Sequence, residues 1–383
     1  DIYARQSEIV RLQTQVATGR SFSTAAEDPA GASQAVTLQQ GIDRIANYSA
    51  NAEAARRRLS LEENALTTFG DSLTRLRELA VQAGDGNLSP ETRAAIASEA
   101  SQGLQGLLAT ANTQDGEGRY LFGGNRTAAT PFVESASGVQ YNGDQGVRLQ
   151  RIGDSRTLQE NDPGSDVFLA ISNGNGTFSV GANAGNQGSA SVANSSVISP
   201  AAWVPGNYSI TFSGPADYTV LDAGGATVTT GTLASGQTIS FNGASVTLSG
   251  TPAAGDSFAV NRSVNQDVFT TVQNFVNALR APNGGSVDQA RYLTRLNATI
   301  LDLDQAQNHI SLIHSRLGGR LNALEDQART NRALSDQLQA TLSTIRDVDY
   351  PKVLSELQQQ QTGLDAAYQV YAKAHSSSLF GVL

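Results

Sequence analysis

The chain changes its composition twice, and this pattern limits the possible folds more than any other feature. Residues 1–118 are rich in Ala, Gln, Leu, Arg and Glu, which favour helices. Residues 133–262 are rich in Gly, Ser, Thr, Asn and Val, with short alternating runs typical of strands. The helical composition returns over residues 266–383. Because two similar ends enclose a different middle, we expect the ends to fold together around an inserted β domain.

The predicted fold class is therefore α+β. We expect an elongated protein with a long α-helical coiled-coil bundle from both termini and an inserted, mainly antiparallel β domain. The terminal coiled-coil helices are predicted over residues 1–20 and 350–383. A helical rod domain is predicted over residues 21–132 and 265–349, and an outer β domain over residues 133–264.

Proline positions set the predicted helix starts in the first third of the chain. Pro29 suits a first helical turn, where its missing N–H costs nothing, and a long helix is predicted over Ala30–Ala83. Ser89 is a typical N-cap and is followed by Pro90 at the first helical position. The helix that begins there is predicted to end near Gln114.

One short segment of the middle carries a strong hairpin signal. Asn242-Gly243 separates the alternating runs 238–241 and 244–248. Asn-Gly favours the tight turn that joins two antiparallel strands. Strands spaced about 8–12 residues apart predict a sandwich or partial barrel.

Each end of the chain carries an apolar stripe at helical spacing, which we call the terminal seams. The N-terminal seam, before Gly19, has spacings of seven, three and four and consists of Ile2, Ile9, Leu12 and Val16. The C-terminal seam follows Pro351 with alternating steps of three and four and consists of Leu354, Leu357, Gln361, Leu364, Tyr368 and Tyr371. A helix with such a stripe needs a partner. That partner is either the other terminus or the same segments of neighbouring molecules. Our hypothesis is that both seams are largely unsatisfied in one molecule and become ordered on assembly.

Composition argues against several classes of partner. The net charge of -9 and the isoelectric point of about 4.9 oppose binding to phosphate backbones, so we expect no nucleic acid. No window reaches the roughly 20 apolar residues of a membrane-spanning helix, so we expect no membrane insertion. No basic segment followed by an apolar run precedes the first predicted helix, so no cleaved signal peptide is expected. The absence of cysteine excludes disulfides and thiolate ligands.

The sequence offers no arrangement that would make an enzyme. Its histidines are His309, His314 and His375, and the first two are five residues apart on different helix faces. Asp302 and Asp304 cannot face each other on one helix. We therefore predict no catalytic residues, no metal ligands and no cofactor.

A basic run in the first helical region is interpreted as a surface feature. Arg56-Arg57-Arg58 has glutamates at helical spacing nearby. This pattern predicts a solvated, salt-paired helix face.

Several segments resemble the flagellin and hook-associated protein superfamily. The loop that contains Gly19, Arg20, Asp28, Pro29 and Gly31 is similar to a family loop near the N-terminus, and Pro29 favours the hook-associated junction proteins over flagellin. The other similar segments are Leu76–Ala83, Gly118–Gly124 with Pro131-Phe132, Ile239–Phe258 and Ser378–Phe380.

The resemblance implies a structural role in the bacterial flagellum. Proteins of this kind leave the cell through type III export without a cleaved signal and assemble outside it through their terminal helices. The implied partners are copies of the chain itself in a ring, the other hook-associated junction protein, flagellin and a flagellar export chaperone. The resemblance adds Leu379 and Phe380 to the predicted assembly interface.

Two alternatives remain open at this point. The first is a flagellin or flagellin-like filament subunit with the same fold. The second is a surface adhesin that binds glycans through the β domain, with Trp203, Tyr208 and Tyr218 as stacking aromatics. Ordinary packing in a β core is the competing interpretation of these three side chains.

Overall fold

The computed structural model describes residues 2–85, 88–136, 138–282 and 284–379, with side chains up to residue 374. The helices are α1 (Ile2–Thr18), α2 (Pro29–Ala83), α3 (Pro90–Ala111), α4 (Val268–Arg280), α5 (Ser286–Arg346) and α6 (Tyr350–Leu379). The strands are β1 (Phe132–Ser135), β2 (Gly138–Tyr141), β3 (Leu149–Arg151), β4 (Thr157–Gln159), β5 (Ile171–Ser172), β6 (Phe178–Ala182), β7 (Ser191–Val197), β8 (Tyr208–Phe212), β9 (Asp217–Asp222), β10 (Thr227–Thr232), β11 (Thr238–Phe241), β12 (Ala244–Ser249), β13 (Ser257–Arg262) and β14 (Asn265–Gln266). Helices at both ends thus enclose a mainly antiparallel β region, which confirms the predicted fold class.

The helix starts follow the capping chemistry of the sequence. The Ser89 hydroxyl accepts a hydrogen bond from the Thr92 backbone N–H at 3.1 Å, and Pro90 begins α3. The predicted start and end of α2 agree with the structure to one residue. The helix α3 ends at Ala111, three residues before the predicted end at Gln114.

Two antiparallel sheets form the core of the β region. One has the strand order β10-β9-β8-β13-β6, and the other has the order β11-β12-β7. Apolar side chains of both sheets share one buried cluster, which includes Phe178, Ile210 and Phe258 from the first sheet and Val246 and Leu248 from the second. Alternate residues point inward along each strand, so the pattern of period two places these side chains together.

The predicted hairpin is present between β11 and β12. Phe241 pairs with Ala244, and the two turn residues have positive φ angles of 43° at Asn242 and 78° at Gly243. Such a turn matches the twist of the flanking strands.

The chain divides into two compact units. Unit 1 comprises residues 1–53, 151–157 and 324–383, and unit 2 comprises residues 54–150 and 158–323. Both ends of the chain thus contribute to unit 1, as the sequence pattern predicts. The predicted three-part division remains a prediction.

Aromatic side chains from distant segments meet in the core of unit 2. The Phe168 ring lies 4.6 Å from the Phe69 ring and 4.9 Å from the Phe122 ring, while the Phe132 ring lies 5.2 Å from the Phe269 ring. All five rings are buried. Phe122 and Phe132 come from the motifs that follow α3, so those motifs anchor the chain where it leaves the helices.

Polar side chains of α5 bind the backbone of the β region within unit 2. The Thr294 hydroxyl accepts a hydrogen bond from the Val192 N–H at 3.1 Å, and the Asn297 amide donates to the Val192 carbonyl at 2.8 Å. The Asp302 carboxylate accepts from the Gly174 N–H at 2.6 Å and from the Gln266 amide at 3.1 Å. These bonds attach α5 to the β region at two places, one at Val192 and the other at Gly174 and Gln266.

None of the helices in the described part of the chain combines the length and apolar character needed to cross a membrane.

Candidate assembly interface

The two terminal helices α1 and α6 pack against each other in unit 1. The Arg5 guanidinium donates to the Gln360 side-chain carbonyl at 3.0 Å, near the start of α1. At the other end of α1, the Gly19 carbonyl accepts from the Val348 N–H at 3.0 Å, just before α6 begins. The helices are therefore antiparallel, and each covers part of the apolar stripe of the other.

The N-terminal seam faces α6. Ile9 and Leu12 are buried, with Leu12 only 1% exposed, and Ile2 and Val16 are half-buried. We expected this seam to be largely unsatisfied in one molecule, but the structure covers its centre within the same chain. The sequence pattern cannot distinguish the two cases because both need the same apolar spacing.

The side chains of the C-terminal seam differ in exposure along α6. Leu357 and Leu364 are half-buried on the side of α1. Leu354, Tyr368 and Tyr371 are 48%, 44% and 56% exposed, and Gln361 is exposed as well. Part of the apolar seam therefore remains exposed in one molecule, and we call these three side chains the outer stripe (Leu354, Tyr368 and Tyr371).

Two predicted interface residues lie at the end of the described chain. Leu379 is the last residue of α6, and its side chain lies outside the described residues, as does the whole of Phe380. Their part in assembly remains a prediction.

The structure adds residues to the helix pair that the seam analysis missed. Val353 is buried, and so is Gln15, whose amide donates to the Ser21 carbonyl. The Gln6 amide donates to the Tyr368 hydroxyl at 2.6 Å. Val353 lies one position before the predicted seam, and a stripe shifted by one position has the same period. Only the position of α1 selects between them.

The chain breaks after α1 and before α6 are joined by an antiparallel bridge, which we call the clasp (residues 19–21 and 345–348). Arg20 pairs with Asp347. The Ser21 N–H donates to the Arg346 carbonyl at 2.7 Å, and the Ser21 hydroxyl donates to the Ile345 carbonyl at 2.7 Å. The clasp satisfies backbone groups that the helix ends leave without intrahelical partners.

Gly19 ends α1 in a conformation that favours glycine. Its φ angle is +69°, and its N–H donates to the Gln15 carbonyl at 2.9 Å, as in a left-handed helix cap. The predicted break at Tyr350-Pro351 lies slightly earlier in the structure, between Arg346 and Tyr350. Pro351 is in the first turn of α6, where a missing N–H is tolerated, so it starts the helix and does not interrupt it.

The remaining residues of the family loop cap the start of α2. The Asp28 carboxylate accepts from the Gly31 N–H at 2.9 Å, and Pro29 is the first residue of the helix. A Cβ atom on Gly31 would lie 2.1 Å from the Asp28 carboxylate, so this cap leaves no room for a larger residue. The loop motif thus has a local structural cause.

An ion pair lies on the part-buried side of α1. Glu8 and Arg11 form a salt bridge, and the hydrogen bond from Arg11 lowers the pKa of the Glu8 carboxyl. The attraction of Glu356 on α6 also contributes to the raised pKa of Arg11, after its hydrogen bond with Glu8. Because both groups are partly exposed, the stability gained is small.

The interpretation of the basic run is wrong at one of its three members. Arg56 and Arg57 are exposed, but Arg58 is buried and lies 3.3 Å from the Asp115 carboxylate. Burial lowers the pKa of the Arg58 guanidinium. Helical spacing places every third or fourth residue on the same face, and position 58 belongs to the face that other elements of unit 2 cover.

The histidines have separate surroundings. The His309 imidazole contacts the Asp166 carbonyl at 2.7 Å, and the His314 imidazole lies 3.7 Å from the Glu63 carboxylate. The side chain of His375 lies outside the described residues. Among the described residues, no group of three or more His, Cys, Asp or Glu could hold a metal ion.

The aromatic residues proposed for glycan stacking pack into the β core. The Trp203 indole stacks on the buried Phe178 ring at 5.2 Å, and Tyr208 is buried against Phe241 at 5.2 Å. Tyr218 packs against the same cluster. This geometry favours the core interpretation of all three side chains.

Comparison with known proteins agrees with this architecture. Residues 1–127 match the bacterial flagellin N-terminal helical region, and residues 300–382 match the bacterial flagellin C-terminal helical region. Residues 181–262 match the D2-like domain of flagellar hook-associated protein 1.

A solved structure decides the family. The crystal structure of flagellar hook-associated protein 3 from Legionella pneumophila is 37% identical, with a TM-score of 0.78, and the match covers 81% of this chain and 98% of that one. The chain belongs to the hook-associated protein 3 family.

Further members of the hook-associated protein 3 family match over similar lengths. The FlgL crystal structure from Xanthomonas campestris is 33% identical, with a TM-score of 0.76, over 80% of this chain and 99% of that one. The flagellar hook-associated protein 3 of Salmonella typhimurium is 25% identical over 98% of this chain and 93% of the relative. The terminal helices that contain the two seams and the clasp therefore lie in the regions shared with flagellin.

Proposed function

We propose that the chain is a non-enzymatic adaptor that joins the hook of the bacterial flagellum to its filament. The observation that carries the proposal is the match over nearly the full length of solved hook-associated protein 3 structures, one of which is described as a flagellar junction protein. A flagellin-like filament subunit would share the terminal helices, but it would not account for the match of the β region to a hook-associated protein domain. The junction function is therefore favoured over that alternative.

The terminal helix pair supplies the proposed assembly surface. The outer stripe is the part of the α6 seam that stays 44–56% exposed beside α1. We propose that copies of this chain in a ring, the other hook-associated junction protein and flagellin cover the outer stripe. Ile2, Ile9, Leu12, Val16, Leu357 and Leu364 stabilise the α1–α6 pair that presents it.

This surface explains how one protein can join two different assemblies. A contact in which a patch on one copy meets a different patch on the next forms an extended assembly unless the rotation closes it. An adaptor must match a hook-associated protein on one side and flagellin on the other. The flagellin-like terminal helices supply a surface that both kinds of neighbour can pack against.

The proposed location is the extracellular flagellum, reached through type III export without a cleaved signal peptide. Export through a narrow channel requires an unfolded chain. A chain with Cys 0 cannot form disulfides that would obstruct unfolding. A flagellar export chaperone is the proposed intracellular partner, and it would bind the terminal segments before they pair.

Deletion of the gene tests the proposed function. We expect electron microscopy to show hooks without filaments and the culture medium to contain flagellin monomers. Complementation with the unaltered gene should restore filaments. Normal or merely shortened filaments in the deletion strain would contradict the junction role and would favour a minor flagellin.

Variants of α6 test the assembly surface separately from the adaptor role. Leu364→Asp would disturb the contact with α1 as well as assembly, because Leu364 is half-buried. Leu354→Asp places the charge on the outer stripe and gives the cleaner result. If a folded and exported Leu354→Asp protein still supports filament growth, the outer stripe is not the interface, although the adaptor role could stand.

A further inference from the structure

Unit 2 contains a buried carboxyl group that has no cation of its own. Glu62 on α2 is 1% exposed, and Asp162, which follows β4, is 7% exposed. The Asp162 side chain lies within hydrogen-bonding reach of the Glu62 carboxyl. Two ionised carboxylates offer only acceptors, so a hydrogen bond between them requires a proton on one of the two.

The charges around this pair indicate which carboxyl holds the proton. Asp162 forms an ion pair with Arg320 of α5 and accepts a hydrogen bond from the Gln159 amide at 3.1 Å. Asp162 is therefore the better partnered of the two carboxyl groups. Glu62 accepts a hydrogen bond from the Asp162 backbone N–H, but its Oε1 atom has no hydrogen-bond partner. The proton is consequently held by Glu62.

The other charged groups near Glu62 are paired among themselves. Arg58, one helical turn before Glu62, binds Asp115, which also binds Arg119. Arg148, just before β3, binds Glu160 at 2.8 Å. Arg58 and Arg148 thus each pair with a carboxylate other than Glu62, and neither forms an ion pair with Glu62.

We propose that the Glu62 carboxyl is a proton-binding site, which in its neutral form donates a hydrogen bond to Asp162 and so locks the Asp162 segment onto α2 and α5. Ionisation would place a second negative charge beside Asp162, with only Arg320 to balance both. The lock would then weaken, and the segment that connects β4 to the Phe168 core would separate from the helices.

The proton makes the stability of unit 2 depend on pH in a defined direction. Burial raises the pKa of the Glu62 carboxyl well above its ordinary value. The contribution of a group with a raised folded pKa is complete below its unfolded pKa and is lost as the pH rises toward its folded pKa. Between these values, one bound proton changes the unfolding equilibrium constant up to tenfold per pH unit.

Glu62→Gln tests the proposal, because glutamine has the same shape and stays neutral at every pH. Equilibrium unfolding of the full chain would be followed from pH 4 upward for the wild type, for Glu62→Gln and for the neighbouring control Glu63→Gln. We expect the wild-type unfolding constant to rise relative to that of Glu62→Gln by up to tenfold per pH unit above the ordinary glutamate range. Glu63→Gln should follow the wild type. Parallel curves for wild type and Glu62→Gln would overturn the proposal.

Infrared spectroscopy of the folded wild type gives a readout that does not depend on the folding of a variant. We expect the C=O stretch of a protonated carboxyl group to persist at neutral pH, to remain in Glu63→Gln and to be absent from Glu62→Gln. A wild-type spectrum without this band at neutral pH would show that Glu62 is ionised and would overturn the proposal.

Discussion

The Val348 backbone N–H donates a hydrogen bond to the Gly19 carbonyl at 3.0 Å, so the break after α1 and the break before α6 are one structural feature. The Arg20–Asp347 bridge continues the same pairing. The clasp fixes where each terminal helix leaves its longer neighbour, and it therefore determines the register in which α1 meets α6.

Gly19→Ala is expected to weaken the clasp. The φ angle of +69° is unfavourable for alanine by about 1–2 kcal/mol, and the added Cβ would lie 3.1 Å from the Tyr350 hydroxyl. Limited proteolysis should therefore cleave near residues 19–21 faster than in the wild type. Gly319→Ala is the matched control, because that glycine is helical and a Cβ there would meet nothing within 4 Å. Equal cleavage of Gly19→Ala and the wild type would contradict the role assigned to the clasp.

Leu12→Ala and Leu354→Asp are expected to separate folding from assembly. Leu12 is buried between α1 and α6, so its truncation should destabilise this helix pair by about 2–5 kcal/mol. Leu354 is on the outer stripe, so Leu354→Asp should leave the circular dichroism spectrum and melting temperature of the isolated protein nearly unchanged. In cells, Leu354→Asp should fail to restore filaments although the protein is exported. A large loss of melting temperature in Leu354→Asp would show that this residue belongs to the core of the helix pair.

Asp302→Asn is expected to weaken the attachment of α5 to the β-region segments that contain Gly174 and Gln266. Both Asp302 oxygens accept hydrogen bonds, and an asparagine can replace only one acceptor. Hydrogen exchange should become faster at residues 171–177 and 262–266. Asp304→Asn is the matched control, because Asp304 forms a partly exposed ion pair with Arg77 of α2 and not a bond to the β region. Unchanged hydrogen exchange in Asp302→Asn would contradict this role and would show that the other contacts of α5 are sufficient to attach it to the β region.

Arg58→Ala is expected to destabilise unit 2 by about 1–3 kcal/mol, because it removes the partner that Asp115 has on α2 while Arg119 stays in place. Arg57→Ala changes an exposed residue of the same run and should alter the free energy of unfolding by less than about 0.5 kcal/mol. Denaturant unfolding measures both values. Similar effects of the two substitutions would restore the interpretation of residues 56–58 as a uniformly solvated face.

Local sequence determines the elements and their boundaries. The start of α2 follows from Pro29 and the Asp28 cap, the start of α3 from Ser89 and Pro90, and the β11–β12 turn from Asn242-Gly243. These features depend on backbone conformation and hydrogen bonds within a few residues. The spacing of the apolar residues is likewise enough to identify both terminal seams as helical.

Tertiary structure alone decides which face of each helix is covered. The C-terminal seam has one period, but α1 covers Leu357 and Leu364 and leaves Leu354, Tyr368 and Tyr371 exposed. The period of a stripe gives its spacing but does not identify its partner, and a shift of one position preserves the period.

The same reason accounts for the buried charges. In sequence, Arg58 belongs to a surface-like basic run, and Glu62 is an ordinary helical glutamate. Their environments come from Asp115 and Asp162, which are distant in sequence and reach α2 only in the folded chain. The sequence by itself therefore determined the helices, the strands and the family resemblance. The exposed stripe, the clasp and the buried proton depend on long-range packing, which no local pattern encodes.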